Sequence, residues 1–182
     1  MVSYERDRVQ LKTRLKDLIE ESLNSTVPVI STTVDLHEDF AVYHSTLDTQ
    51  PELYVDIRLI NFNHEKTIAD VVFYPAGRNF KALNVFGTKG SLSIFNTVIK
   101  LCELHLDDVD VWFFSAKFAE NHTQKQYLKR TDLYDRLSER ICRKHSMHLF
   151  SFNHTGDKIW VASKVAVSAD DVSRFVKYCS EL

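Results

Sequence analysis

The stretch FKALNVFGTKGSLSIFNTVIKLCELHLDDVDVWFFS, Phe80–Ser115, changes its hydrophobic period twice, and those changes decide the fold expectation. Phe80–Phe86 reads as a strand. Gly87–Gly90 reads as a tight turn, because glycine enters backbone conformations that other residues avoid. From Ser91 to Leu106 the period lengthens: Leu92, Phe95, Val98, Ile99, Cys102 and Leu106 make the wide apolar face of a helix. Val109–Ser115 then packs Val, Trp and Phe too densely for a half-exposed strand. It predicts a strand buried on both faces, the position of a central parallel strand. A strand, a helix and a second strand at this spacing predict a crossover with the helix laid over one sheet face.

Upstream, Leu53, Val55, Ile57 and Leu59 alternate with Tyr54, Asp56 and Arg58, and the phase shifts at Ile60 and Phe62. The turn Asn63–Lys66 leads into Thr67–Tyr74, predicting an antiparallel hairpin. With Phe80–Phe86 added after Pro75-Ala76-Gly77, this becomes a three-strand meander. Val27–Val34 and Phe40–His44 are two further short strands. A helix from about residue 4 to 23 carries the stripe Leu11, Leu15, Leu18, Ile19 and stops near Asn24–Thr26 and Pro28. Downstream, the polar segment Ala116–Arg130 has no clean period and is expected to be a loop. Thr131–His145 is a helix burying Leu133, Tyr134, Leu137 and Ile141. His148–Asn153 and Lys158–Ser163 form a closing hairpin. Ser168 caps a last helix to about residue 180, with acids in its first turn and Val172, Phe175, Val176 and Cys179 facing inward.

A chain of 182 residues, 44% of them hydrophobic, suits one well-buried core, so residues 1–182 are expected to form a single domain. The net charge of −2 and the absence of a basic balance argue against bulk attraction to nucleic acid or anionic membrane. Three cysteines, Cys102, Cys142 and Cys179, form no CxxC pair and read as small core residues of a reducing compartment. The charged N-terminus and the lack of a long apolar run predict a cytoplasmic protein.

The order of elements resembles the GNAT superfamily of acyl-CoA N-acyltransferases over most of the chain. The resemblance implies a mixed α+β fold, with a central twisted sheet, an antiparallel N-terminal meander, a βαβ centre and helices on both faces. It also implies that the Gly turn would receive the pyrophosphate of acetyl-CoA or another acyl-CoA, through Gly87, Thr88, Lys89, Gly90 and Ser91. In that pattern Arg or Gln stands where this chain has Gly87, and a small residue stands where it has Leu92. Tyr134 aligns with the tyrosine that protonates the departing thiolate. More narrowly, Phe114-Ser115-Ala116-Lys117 followed by Arg130-Thr131-Asp132-Leu133-Tyr134-Asp135-Arg136-Leu137 is similar to a set of bacteriophage proteins. That similarity implies a phage origin and the cytoplasm of a host cell, with no activity attached.

The residues themselves leave bland readings beside these. Gly87–Gly90 is also a turn that simply starts a helix, and Tyr134 is also an ordinary core aromatic. Asp56, Asp70 and Glu52 are general-base candidates or merely the solvent half of an alternating strand. The histidines His122, His145, His148 and His154 lack converging ligands, so no metal is expected. Arg136, Arg140 and Arg143 share a helix face that suits phosphates or an acidic protein, while Asp132–Arg136 and Glu139–Arg143 are i,i+4 pairs that solvate a helix. The reading these observations favour is a non-catalytic phage accessory protein that binds a host or phage protein, with no cofactor. An acyl-CoA-dependent N-acyltransferase and a nucleic-acid-associated protein are the alternatives. No substrate, named partner or oligomeric state follows from the sequence.

Overall fold

The alternation in Leu53–Phe62 organises the molecule. In the computed structural model, which describes residues 25–62, 65–78, 86–116, 131, 134–135, 138–154 and 157–181, this segment is a ten-residue strand. Seven strands form one sheet: β1 Val29–Leu36, β2 Phe40–Leu47, β3 Leu53–Phe62, β4 Lys66–Pro75, β5 Val111–Ala116, β6 His148–His154 and β7 Asp157–Ser163. Their order is β1-β2-β3-β4-β5-β7-β6. Every pairing is antiparallel except β4 with β5, where Ile68 lies beside Val111 and Val71 beside Phe114. Helix α1 spans Gly87–Glu103 and joins that parallel pair; α2 is described at 131, 134–135 and 138–144; α3 spans Ala169–Glu181.

One sheet face carries Leu47, Leu53, Val55, Ile57, Ala69, Val71, Trp112, Phe114, Trp160 and Ala162, packed with Leu92, Phe95 and Val98 of α1 and Tyr134 and Cys142 of α2. Burial of these side chains supplies the main driving force for folding. The opposite face has a smaller cluster, Ile68, Val111, Phe113, Ile159 and Val161, which meets Val172 and Phe175 of α3. Strand β5 is therefore buried on both faces, as its composition predicts.

The phase shift in β3 has a simple physical origin. Tyr54, Asp56, Arg58, Ile60 and Phe62 all lie on one face, but only its Phe62 end is covered: the Phe62 ring meets Phe175 edge-on at 4.7 Å and Tyr178 at 5.4 Å. Polar residues occupy the open half and apolar residues the covered half, with no break in the ladder to β4. Helix α3 starts where expected. The Asp171 amide donates to Ser168 Oγ at 3.1 Å, and the Ser168 amide donates back to Asp171 Oδ2 at 3.1 Å, a reciprocal cap.

Two expectations are corrected. The strand that pairs in parallel with β5 is Lys66–Pro75, one element earlier than the proposed Phe80–Phe86; Phe86 instead holds helical dihedrals immediately before α1. The GNAT-like α+β expectation is also overturned, because the described structure is dominated by its sheet. Among the described residues, strand accounts for 44% against 33% helix, in three helices. The reason lies in the β1–β4 wing. Its second face carries carboxylates, an imidazole and tyrosines bonded to one another, no described helix covers it away from the Phe62 end, and β1 is exposed along all eight residues. The N-terminal helix at 4–23, the strand residues 80–85 and the loop 117–130 lie outside the described residues.

Candidate functional site

The residues singled out in the Gly turn do not form a turn ahead of a helix: Gly87–Gly90 is the first turn of α1. Both glycines have local explanations. Gly87 sits at φ +59°, a conformation strained for any other residue, and a Cβ on Gly90 would stand 3.1 Å from the Phe86 Cβ. Leu92 is buried in the main core, so its side chain faces the sheet. Lys89 is exposed and Ser91 half-buried, while Ser93 Oγ donates back to the Lys89 carbonyl at 3.2 Å. The next polar residues of α1 tether the chain entering β1. Asn96 Nδ2 donates to the Ser25 carbonyl at 2.9 Å, and the Val27 amide donates to Thr97 Oγ1 at 2.9 Å.

Tyr134 is a core residue, only 6% exposed. Its ring stacks on Phe95 at 5.0 Å and meets Trp160 edge-on at 5.3 Å and Phe73 at 6.1 Å. It is held against the middle of α1 rather than gathered with the Gly87–Gly90 turn. Its neighbour Asp135 accepts from Lys158 Nζ at 2.7 Å and from Trp160 Nε1 at 2.6 Å, which locks α2 onto β7. Arg140 and Arg143 are exposed on α2; Arg136 lies outside the described residues.

A narrow cleft lies between the C-terminal ends of α1 and α2, lined by Cys102, Glu103, Trp112, Ile141 and Met147 among others. Its interior space is about 10 Å³, the threshold for a single water. At its rim Glu103 accepts from Lys144 Nζ at 2.7 Å and from His145 Nε2 at 2.8 Å. Burial raises the Glu103 carboxyl, but these two hydrogen bonds and their charges outweigh it and hold the group below its ordinary value. Among the described residues there is no ligand-sized cavity here, and no cluster of His, Cys, Asp and Glu that would hold a metal.

One polar network among the described residues was missed by pattern reading. His44 stands on the open face of the β1–β4 wing, with Nδ1 2.8 Å from Asp56 Oδ1 and Nε2 3.1 Å from Asp35 Oδ2. Tyr74 Oη donates to Asp56 Oδ2 at 3.0 Å, and Tyr54 Oη donates to Glu52. The hydrogen bond to Asp56 chiefly, opposed by partial burial, raises the His44 pKa above its ordinary 6.5. A carboxylate at each nitrogen favours the protonated ring, which donates from both. In that protonated form the ring has no lone pair to offer a substrate. Of the general-base candidates, Asp56 is spent on this network, Glu52 on Tyr54, and Asp70 lies 4.0 Å from Arg58. The available signal was register: His44 is opposite Asp56, and Thr33, two residues from Asp35, is opposite His44.

Among the described residues, β1 is the outer strand of this wing, with no described element beyond it. Four of the seven exposed large apolar side chains among the described residues belong to it: Val29, Ile30, Val34 and Leu36, the last 79% exposed. Protein edges are ordinarily blunted by lysine, proline or a covering element. The eight residues of β1 contain neither lysine nor proline, and the one charge, Asp35, is turned to His44. The His37 amide donates to the Phe40 carbonyl at 2.9 Å, so odd-numbered residues of β1 from Ser31 point their backbone groups at β2. Thr32, Val34 and Leu36 point theirs outward. Comparison with known protein families, curated proteins and solved structures finds no match.

Proposed function

We propose that this chain is a non-catalytic protein-binding module, and that its docking surface is the β1 edge. In this reading a partner contributes an extended segment that adds to the sheet beside Thr32, Val34 and Leu36. The backbone groups of the edge supply hydrogen bonds, and its apolar side chains supply the buried area. One observation carries the reading: apolar residues without lysine or proline line an edge whose backbone groups face outward. The bonded state of His44, Asp56 and Glu52 supports it, because the groups best suited to acid–base chemistry are already engaged within the protein. The similarity of Phe114–Lys117 and Arg130–Leu137 to phage proteins supports a phage accessory role, with a host or phage protein as the partner.

A single substitution tests this. Val34→Pro removes a backbone N–H that faces outward and leaves the ladder to β2 intact, a place where an edge strand accepts proline. Proteins retained by the immobilised wild-type chain from infected cells are expected to be lost on the Val34→Pro chain, with the far-ultraviolet spectrum unchanged. Retention of the same proteins at the same level by the folded variant would reject β1 as the docking surface.

A further inference from the structure

Resting on the reading of β1 as a docking edge, we infer that one occupant of that edge is a second copy of this chain, paired antiparallel across a two-fold axis at Thr33. A two-fold interface must be self-complementary, because each residue meets its counterpart's partner in reverse. The strand Val29-Ile-Ser-Thr-Thr-Val-Asp-Leu36 meets that condition when read against itself about Thr33. Thr32 then faces Val34 of the other copy, and Leu36 approaches Ile30, which lies at the register shift of the β1–β2 ladder between Val29 and Ser31. Each pair occurs twice, and together they use three of the four exposed apolar residues of the edge. On the opposite side of the ladder Ser31 faces Asp35 and Thr33 faces Thr33.

Cross-strand pairs of this kind, β-branched with aliphatic and hydroxyl with carboxylate, are the favourable ones. No like charges meet. Asp35 gives one oxygen to His44 and can accept from the serine hydroxyl with the other. The registers two residues to either side are poorer. One sets Ile30 against the acidic turn residue Glu38, and the other leaves Leu36 against Pro28, which has no N–H to give. The outward backbone groups of Thr32 and Val34 set the geometry. Hydrogen bonds would run between Thr32 of one copy and Val34 of the other, leaving Thr33–Thr33 as the closer, non-hydrogen-bonded pair with Cα atoms ~4.5 Å apart. The product is a continuous sheet of fourteen described strands, twice the seven described in one chain. Because one strand pair buries little area, the association is expected to be weak and concentration-dependent.

That geometry gives a sharp test, since a non-hydrogen-bonded pair at this spacing is within disulfide range. In a Cys179→Ser background, Thr33→Cys is oxidised with diamide. Val72→Cys, exposed on the same open face but away from the edge, serves as the control. A disulfide-linked dimer is expected to form at least tenfold faster at residue 33, mapped by mass spectrometry to 33–33. Ile30→Lys/Leu36→Lys, which sets like charges opposite each other, should abolish it in a chain that keeps its far-ultraviolet spectrum. Equal rates at 33 and 72, or an unchanged rate in the double lysine variant, would overturn the inference. If the chain proves monomeric while Val34→Pro still loses its heterologous partners, the second-copy occupant falls and the docking edge stands. If Val34→Pro changes neither, both fall.

Discussion

His44 holds Asp56 through Nδ1 at 2.8 Å and Asp35 through Nε2 at 3.1 Å, so one imidazole ties three adjacent strands together on the uncovered face of the sheet. Strand β1 is exposed along its length; it is attached by the ladder to β2, by the Thr32–Ser45 hydroxyl contact at 2.9 Å and by this clip.

The clip makes the stability of β1 pH-dependent in a defined sense. The proton on His44 is bound more tightly in the folded chain than in the unfolded one, where its pKa is 6.5. The stabilisation is therefore fully present below pH 6.5 and fades as pH rises through the higher folded value. Partial exposure screens the pair, so the effect is expected to be under about 1 kcal/mol. His44→Gln should lower the urea midpoint at pH 5.5 and leave it nearly unchanged at pH 9, conditions chosen on either side of that window. An equal loss at both pH values would show that the charge on His44 is irrelevant.

Among the described residues, Phe175 is the most deeply buried by which α3 meets the sheet. Phe175 is 1% exposed and meets both Phe62 and Phe113 edge-on. Phe175→Ala is expected to cost about 3–5 kcal/mol, read as a fall in the chemical-denaturation midpoint at unchanged slope. Ser168→Ala, which removes the cap, should cost only about 1 kcal/mol. A Phe175→Ala loss no larger than the cap's would mean that α3 does not cover this end of the sheet.

Much of this was legible in the chain. The alternation of Leu53–Phe62, the doubly apolar Val111–Phe114, the cap at Ser168 and the closing hairpin each follow from a local period or a local donor. The parallel partner of β5 was not legible. Phe80–Phe86 and Lys66–Pro75 both read as strands, and only tertiary pairing selects between them. The phase shift at Ile60 was visible, but its cause, partial coverage by α3 from more than a hundred residues away, is a long-range fact. The His44 network was hidden for the same reason: its members are separated in sequence and meet only through register. Gly87 and Gly90 stand out in the sequence, while the positive φ of one and the close Phe86 Cβ beside the other are visible only in the structure.

That last point separates a structural glycine from a phosphate cradle. Gly87→Ala forces a left-handed residue at φ +59° and is expected to cost about 1–2 kcal/mol with no ligand present. Calorimetry with desulfo-CoA should give no saturable heat for either the wild-type or the variant chain. One-to-one binding at micromolar affinity, lost in a Gly90→Trp variant, would instead place a coenzyme on the first turn of α1.

The thiols provide an independent check on the core. Burial pushes the Cys102 thiol far above its ordinary value and the Cys142 thiol up to about 11. Since the thiolate is the reactive form, neither should react with iodoacetamide in the native chain at pH 7.5, and both should react after urea is added. Modification of Cys102 before unfolding would contradict its placement between α1 and the sheet.

The most direct measurement is residue-resolved amide exchange along β1 in dilute protein. Thr33 and Asp35, whose amides point at β2, should exchange slowly. Thr32, Val34 and Leu36 should exchange rapidly, and should slow when protein concentration is raised or a captured partner is added. Slow exchange of all five in dilute protein would mean that the edge is already covered, and it could not then receive a partner's strand.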